Sequence, residues 1–524
     1  MSRASLVVAV LLAIAVLAVY LPSLDGSFQF DDQTSILENT TLRAADPVAW
    51  WSYWPTRGLC YVSLGVDYQL HGLRTRGYHL TNLFIHIAAA WVVFALLKLL
   101  LSTSLGTARV DGIAAAGAAL FALHPLQSQA VAYTVQRATA MYALFYFCCA
   151  YAYLRARQGG SRRWIWWAIA YFAALLALQS KEPALSLPLG LLLLESVARG
   201  PRHLRWKMWL PFAPLLFFPL ILAQMTGFAF GNAAPTLSGE TELVSRTSYA
   251  LTQLEVLARY WKLSLLPHGQ NLDHDIAWRS SFGAPEALLA VFHALVLALA
   301  WFSFRRGQRL AAVGIAWFYI CLLPESSIYA IADAMFEHRV YLSLFGLALA
   351  ACTLLARASR VRPRATAVLA VVVLLALGGA TMKRSALWAD PLLLWEDVLN
   401  KSPRKARAQM AVGWIASNRG ELEKARRHLE EAVRLDGDYG MAWNNLGLVA
   451  QRLGDWTAAE RAYDEALRLH PYEAVLHLNR GLARRQLGRS REAAEDIRRA
   501  MELDLQQAPR WRELLTEIEG AEGP

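Results

Sequence analysis

The 524-residue sequence predicts an all-α fold, a polytopic helical membrane bundle of about eleven spans followed by an α-solenoid. Three observations predict it. The composition is 56% hydrophobic with mean hydropathy +0.28, too apolar for an ordinary soluble chain. Long uncharged runs recur at the length needed to cross a hydrocarbon core. Near the C terminus, small residues recur at an interval of about 34 positions, the period of a stacked helical hairpin.

Apolar runs of span-like length lie near 4–22, 79–101, 110–124, 138–154, 164–180, 183–198, 208–226, 285–304, 310–328, 340–357 and 365–382. The first follows Arg3 and shows no small-residue cleavage pattern, so it reads as an uncleaved span. A further run, Tyr249 to Leu266, is interrupted by Glu255, Arg259 and Lys262 and reads as an interfacial or re-entrant helix. Clusters at Arg155/Arg157/Arg162/Arg163, Arg199/Arg202/Arg205/Lys207, Arg305/Arg306/Arg309 and Arg357/Arg360/Arg362/Arg364 all fall on the cytoplasmic side only if that run does not cross. With a cytoplasmic N terminus, the loops around Asp31, His124 and Glu325 to Arg339, and the C-terminal region, then share the outer side. The net charge of +11 is carried largely by these short loops, as orientation signals are, which argues against nucleic acid as a partner. Cys148, Cys149, Cys321 and Cys352 lie in apolar runs and Cys60 in a polar loop, so no disulfide framework is implied.

These signals divide the chain into a membrane domain over 1–382, an amphipathic linker over 383–403, three repeats over 404–507 and a polar capping helix over 508–524. The linker, "LWADPLLLWEDVLNKSP", offers Trp388 and Trp395 to the headgroup layer. The repeats have the tetratricopeptide (TPR) period: Gly413/Gly447/Gly481, Gly420/Gly454/Gly488, Ala425/Ala459/Ala493 and Ala432/Ala466/Ala500 stand in register. Leu429, Tyr463 and Ile497 are placed to fill the groove between paired helices. Helix stacking alone demands this pattern, so it is compatible with a plain folded appendage. The concave face of such solenoids commonly holds polypeptide, and Trp443, Asn444, Asn445 and Asn479 are the candidate acceptor contacts.

The polar loops carry the candidate chemistry. "GSFQFDDQTSILEN" sets Asp31 beside Asp32 just past the first span, and two adjacent carboxylates repel unless water, a cation or substrate offsets the cost. Such a pair is ordinarily a helix cap or solvated turn; at the water boundary it also suits a general base for an acceptor hydroxyl. "ALHPLQSQAVAYTVQR" brings His124, Gln129 and Arg137, "LQSKEPALSLP" brings Lys181 and Glu182, and "AMFEHRVYLS" brings Glu337, His338 and Arg339 to span ends; Arg57 lies in the first loop. Each alone reads as snorkelling at a helix end, but cations at that depth also suit a lipid-linked phosphate. His79, Asn82 and His86 share a helical face and fit packing as well as ligation. "NLDHDIAW" offers Asp273, His274 and Asp275 as hard ligands. No nucleotide loop or zinc spacing occurs.

The order FDD, "GYHLTNLFIH", "HPLQSQAVAYTVQR", "SKEPALSLPL", "FEHRVYLSL" and then TPR repeats resembles the transmembrane and TPR-containing protein O-mannosyltransferases and their bacterial homologues, which are type C glycosyltransferases. The resemblance implies an enzyme that moves a hexose, mannose by the family's habit, from a polyprenyl-phosphate sugar to Ser/Thr hydroxyls of extracytoplasmic protein. It puts the family's acidic pair on Asp31 and Asp32, its HP loop on His124, Pro125 and Arg137, its Lys-Glu turn on Lys181 and Glu182, and its last signature on Glu337, Arg339 and Tyr341. Arg339 is then the leading candidate for the lipid phosphate. The chain departs from the pattern with Arg57-Gly58-Leu59 in place of Arg-Pro-Leu, with Gln129 in place of an acid and with Ser343 in place of proline. A divalent cation, Mg2+ or Mn2+, is compatible with bridging carboxylates and phosphate, but no residue pattern requires one. The implied setting is a bacterial inner membrane with the repeats in the periplasm. Two other readings fit the same residues: a ligase or polymerase for lipid-linked glycans, and a non-enzymatic membrane-anchored scaffold.

Overall fold

A computed structural model of the chain describes residues 3–102, 109–198, 244–327, 331 and 333–520. Every regular element among them is helical. They form two units, one made of the described residues up to Pro391 except Asp273–Asp275, the other of Asp273–Asp275 and the described residues from Leu392 onward.

In the first unit five described helices are long and apolar enough to cross a membrane: Arg3–Ser23, Thr75–Ser102, Ala284–Arg305, Leu344–Val361 and Pro363–Leu387. Val110–Ala122, Arg163–Leu178 and Arg309–Leu322 are apolar but shorter. Among the described residues the expected count of about eleven is therefore not reached on length, and local chemistry explains several of the missing spans. Pro125 opens a 3-10 turn directly after the run at 110–124, and Pro183 lies in the 3-10 turn Glu182–Ser186 at the start of the run at 183–198, which trims the flanking helices. Glu337–Val340 is likewise a 3-10 turn, so the run expected from residue 340 becomes helical only at Leu344. The run at 138–154 lies within the helix Arg137–Arg157 and the run at 183–198 shrinks to Leu187–Ala198. The run at 208–226 lies outside the described residues, as do Arg199, Arg202, Arg205 and Lys207. Tyr249 to Leu266 forms the helix Arg246–Leu265, capped by Ser245 Oγ on the Ser248 N–H at 3.1 Å, and is not among the five.

Close packing needs small residues where helices touch. A Cβ added to either Gly314 or Gly346 would run into the other's helix backbone, so Arg309–Leu322 and Leu344–Val361 approach as only glycine allows. The N-terminal loop is built by capping: Asp46 Oδ1 accepts the Val48 and Ala49 N–H groups at 3.0 and 3.1 Å and starts the helix Pro47–Tyr53. Trp388 is not at a headgroup surface; it is 1% exposed and stacks on Tyr133 with ring centroids 5.8 Å apart.

The second unit is a run of antiparallel hairpins: Ala406–Asn418 with Leu422–Leu435, Gly440–Arg452 with Trp456–Leu469 and Ala474–Gln486 with Ser490–Leu503, followed by Ala508–Gly520. Gly420, Gly454 and Gly488 end the first helix of each pair at φ +83°, +81° and +75°, where a side chain would be strained. Ala425, Ala459, Ala493, Ala432, Ala466 and Ala500 are fully buried, and Leu429, Tyr463 and Ile497 fill the space left by Gly413, Gly447 and Gly481.

Candidate functional site

The two aspartates face different environments. Asp31 is exposed, and its backbone N–H donates to Tyr133 Oη at 2.6 Å. Asp32 is 1% exposed: Oδ1 accepts the Val135 N–H at 2.8 Å and Oδ2 the Gln29 N–H at 3.0 Å. Burial pushes the Asp32 carboxyl up to about 7, against the pull of those two N–H donors. The turn that leads into them is strained, because Phe30 takes φ +51°, a left-handed conformation unusual for a bulky side chain. Its ring is held by Tyr133 and by Phe336, with centroid distances of 6.3 and 6.1 Å. Arg339 in turn lies over the Phe336 ring at 5.8 Å. The acidic turn and the Glu337–Val340 turn are thus neighbours through one aromatic contact.

Around Arg339 is a cluster of buried charge. Lys181 and Arg339 are 4% and 3% exposed. Glu325 Oε1 stands 3.5 Å from Lys181 Nζ and 3.9 Å from Arg339 Nε. Lys181 also donates to Thr139 Oγ1 at 3.0 Å, and Arg339 donates to the carbonyls of Ala334 and Asp333 at 3.1 and 2.9 Å. Burial lowers the Lys181 ammonium below its ordinary value despite the attraction of Glu325. Arg57 and Glu182 form a bidentate pair, with Arg57 Nε 3.0 Å from Oε1 and a terminal guanidinium nitrogen 3.0 Å from Oε2. Burial raises the Glu182 carboxyl, but the Arg57 charge and hydrogen bonds outweigh it and hold the carboxyl below the usual range. His338 sits among these charges; burial first, then Lys181, Arg339 and Arg57, keep its imidazole neutral. It stacks on Phe336 with centroids 5.3 Å apart, and its Nδ1 has no hydrogen-bond partner among the described residues.

The remaining sequence candidates hold the loops together. His124 Nδ1 accepts the Leu126 N–H at 3.2 Å and its Nε2 pairs with the Ser264 carbonyl at 3.1 Å, which makes Nε2 the protonated nitrogen. Gln129 Oε1 accepts the His338 N–H at 2.7 Å, tying the HP loop to the turn that carries Arg339. Glu337 accepts the Asn271 N–H at 2.5 Å and Gln270 Nε2 at 3.1 Å. Tyr341 is fully buried, its hydroxyl 2.7 Å from His86 Nδ1. His86 Nε2 donates to the Ala122 carbonyl at 3.0 Å, so the tyrosine is the donor to Nδ1. Arg137 is fully buried, 2.5 Å from Asp67 Oδ2, with further bonds to Asn82, Tyr78 and Ser63. Its guanidinium is engaged by these groups within the fold.

Sequence reading passed over Glu325, Tyr133 and the partnership of Asp67 with Arg137. Glu325 follows an apolar run in "LLPESS", and a carboxylate at a span end is the signal that marks it. In the second unit Asn479 Nδ2 is 3.4 Å from Asn444 Oδ1, Asn445 Nδ2 is 3.5 Å from Met410 Sδ, and Trp443 Nε1 donates to the Gly437 carbonyl at 2.8 Å. Asp273 is paired there with Lys405 at 3.1 Å and Arg407 at 3.5 Å, which occupies the carboxylate of the "NLDHDIAW" segment with cations. No group of three or more His, Cys, Asp or Glu side chains arranged for a metal occurs among the described residues.

Residues 410–474 and 444–508 match the family model of the tetratricopeptide repeat. Protein O-mannosyl-transferase F38B6.6 of Caenorhabditis elegans is 23% identical over 438 residues, which cover 80% of this chain and 61% of the worm protein. Protein O-mannosyl-transferase Tmtc1 of Drosophila melanogaster is 33% identical over 181 residues, 32% of this chain and 20% of the fly protein. Protein O-mannosyl-transferase TMTC2 of Homo sapiens is 29% identical over 167 residues, 29% of this chain and 19% of the human protein. The matches span less than two thirds of each relative's length. The chain's curated homologues are thus protein O-mannosyl-transferases, and its own C-terminal repeats are TPRs.

Proposed function

We propose that the chain is a membrane glycosyltransferase that moves a hexose, mannose by likeness to its relatives, from a polyprenyl-phosphate sugar to Ser or Thr hydroxyls of a protein. The observation that supports this most is the contact of Phe30 with Phe336, which joins a loop carrying an exposed carboxylate to the loop carrying the buried Arg339. Asp31 accepts the proton of the acceptor hydroxyl as its oxygen attacks the anomeric carbon. Asp32 braces the turn through the Val135 and Gln29 amides. Lys181 and Arg339 bind the lipid phosphate and stabilise the charge it gains on leaving; Arg57 and Glu182 support that region as a pair. One displacement inverts the anomeric centre. The bundle resides in a bacterial inner membrane with the site on the outer side, and the TPR unit binds the acceptor polypeptide through Trp443, Asn444, Asn445 and Asn479.

Arg339→Met tests the donor site. In detergent with a polyprenyl-phosphate mannose donor and a Ser/Thr-rich peptide, the variant is expected to raise the donor KM at least about tenfold, the scale of one lost charge-assisted hydrogen bond. An unchanged donor KM in a folded variant refutes the assignment.

A further inference from the structure

Glu325 holds the two cations without hydrogen-bonding either. At 3.5 and 3.9 Å its Oε1 lies beyond normal hydrogen-bond length from Lys181 Nζ and Arg339 Nε, so the three groups are joined by charge. Glu325 is a carboxylate that both almost wholly buried cations share, while Asp333 also attracts Arg339 and Glu182 also attracts Lys181; buried charges of this kind are held only by such partners, and an incoming anion competes with them. Arg339 Nε has no hydrogen-bond partner among the described residues. The Glu325 backbone, in contrast, is fixed: its N–H donates to the Leu322 carbonyl at 3.1 Å, and its carbonyl accepts the Tyr249 hydroxyl. Displacing the carboxylate from the cations would thus involve the Glu325 side chain alone. A phosphate group brings several acceptor oxygens and makes direct charge-assisted bonds to Nζ and Nε that Glu325 does not make.

We propose that Glu325 is a displaceable counterion, holding Lys181 and Arg339 together when the site is empty and giving way to the phosphate of a polyprenyl phosphate. This rests on the reading of Lys181 and Arg339 as the phosphate site. Two consequences follow from charge. Glu325 competes with any phosphate for the same cations, and it competes hardest with the leaving lipid monophosphate, which carries more negative charge than the donor diester. Re-pairing of Glu325 with Lys181 and Arg339 thus promotes product release.

The test is binding of farnesyl monophosphate to the detergent-solubilised full chain by calorimetry, with farnesol as the uncharged control. Glu325→Gln keeps the shape and removes the competing charge; it is expected to tighten farnesyl monophosphate binding about tenfold while farnesol binding stays unchanged. Glu325→Asp, whose carboxylate reaches less far, is expected to fall between wild type and Gln. A residue with a merely structural role would loosen binding in both variants. If the wild type prefers farnesyl monophosphate over farnesol but neither variant binds it more tightly, the counterion role is overturned and the phosphate site stands. If farnesol binds as well as farnesyl monophosphate in every form, the phosphate site itself is refuted. Should the Gln variant not fold, the Asp variant decides by the same ordering.

Discussion

The ring of Phe30 meets the ring of Phe336 with centroids 6.1 Å apart and planes at 69°. The residue before Asp31 therefore touches the residue three places before Arg339, although the two loops are about three hundred positions apart in sequence. Phe30 supports this contact from a left-handed backbone conformation, φ +51°. The contact and the left-handed backbone together hold the turn that carries Asp31.

Replacing Phe30 separates these two effects. Phe30→Ala and Phe30→Gly both delete the ring, but only glycine is at ease at this φ, so the Gly variant is expected to be the more stable by about 1 kcal/mol in detergent melting. Both are expected to lose transfer activity, because the turn bearing Asp31 loses its anchors on Tyr133 and Phe336. Equal stability of the two variants would show that the backbone there is relaxed.

Asp32 makes stability depend on pH. Its folded carboxyl is pushed up to about 7, whereas an unfolded aspartate titrates near about 4. The contribution is fully present below the unfolded value and is lost as pH rises through about 7. Asp32→Asn cannot titrate, so wild type is expected to lose stability relative to the Asn variant between about pH 4 and 7, by at most about 1.4 kcal/mol per pH unit, and to change little above that. Melting curves of the two proteins across this range measure it, and a constant difference would contradict the buried carboxyl's role.

Arg137 is ion-paired with Asp67 inside the fold. Arg137→Met leaves Asp67 buried without its cation and is expected to destabilise the first unit by about 3 to 5 kcal/mol. Adding Asp67→Asn is expected to recover much of that loss, since it removes the stranded charge. Additive losses in the double variant, measured by denaturation in detergent, would mean the pair is not coupled.

The legibility of these features in the sequence varied with the range of the interactions behind them. The TPR unit was readable because each hairpin repeats its own local requirements: a glycine at the turn, as at Gly454, and a small residue against a large one, as at Gly447 and Tyr463. The acidic pair was readable as unusual chemistry, but the division between exposed Asp31 and buried Asp32 depends on amides of Val135 and Gln29 that only the fold brings near. The pairing of Arg137 with Asp67 was not readable because the two lie seventy positions apart. Apolar run length overstated the spans, since His124-Pro125 and Lys181 to Ser186 spend residues on 3-10 turns that present polar groups.

The most direct test is transfer of labelled mannose from a polyprenyl-phosphate donor to a Ser/Thr peptide by the purified full chain, with wild type and Asp31→Asn compared at equal folded protein. Loss of a general base predicts a drop of about a hundredfold or more in kcat with little change in donor KM. An Asp31→Asn variant that transfers mannose at the wild-type rate would contradict the account.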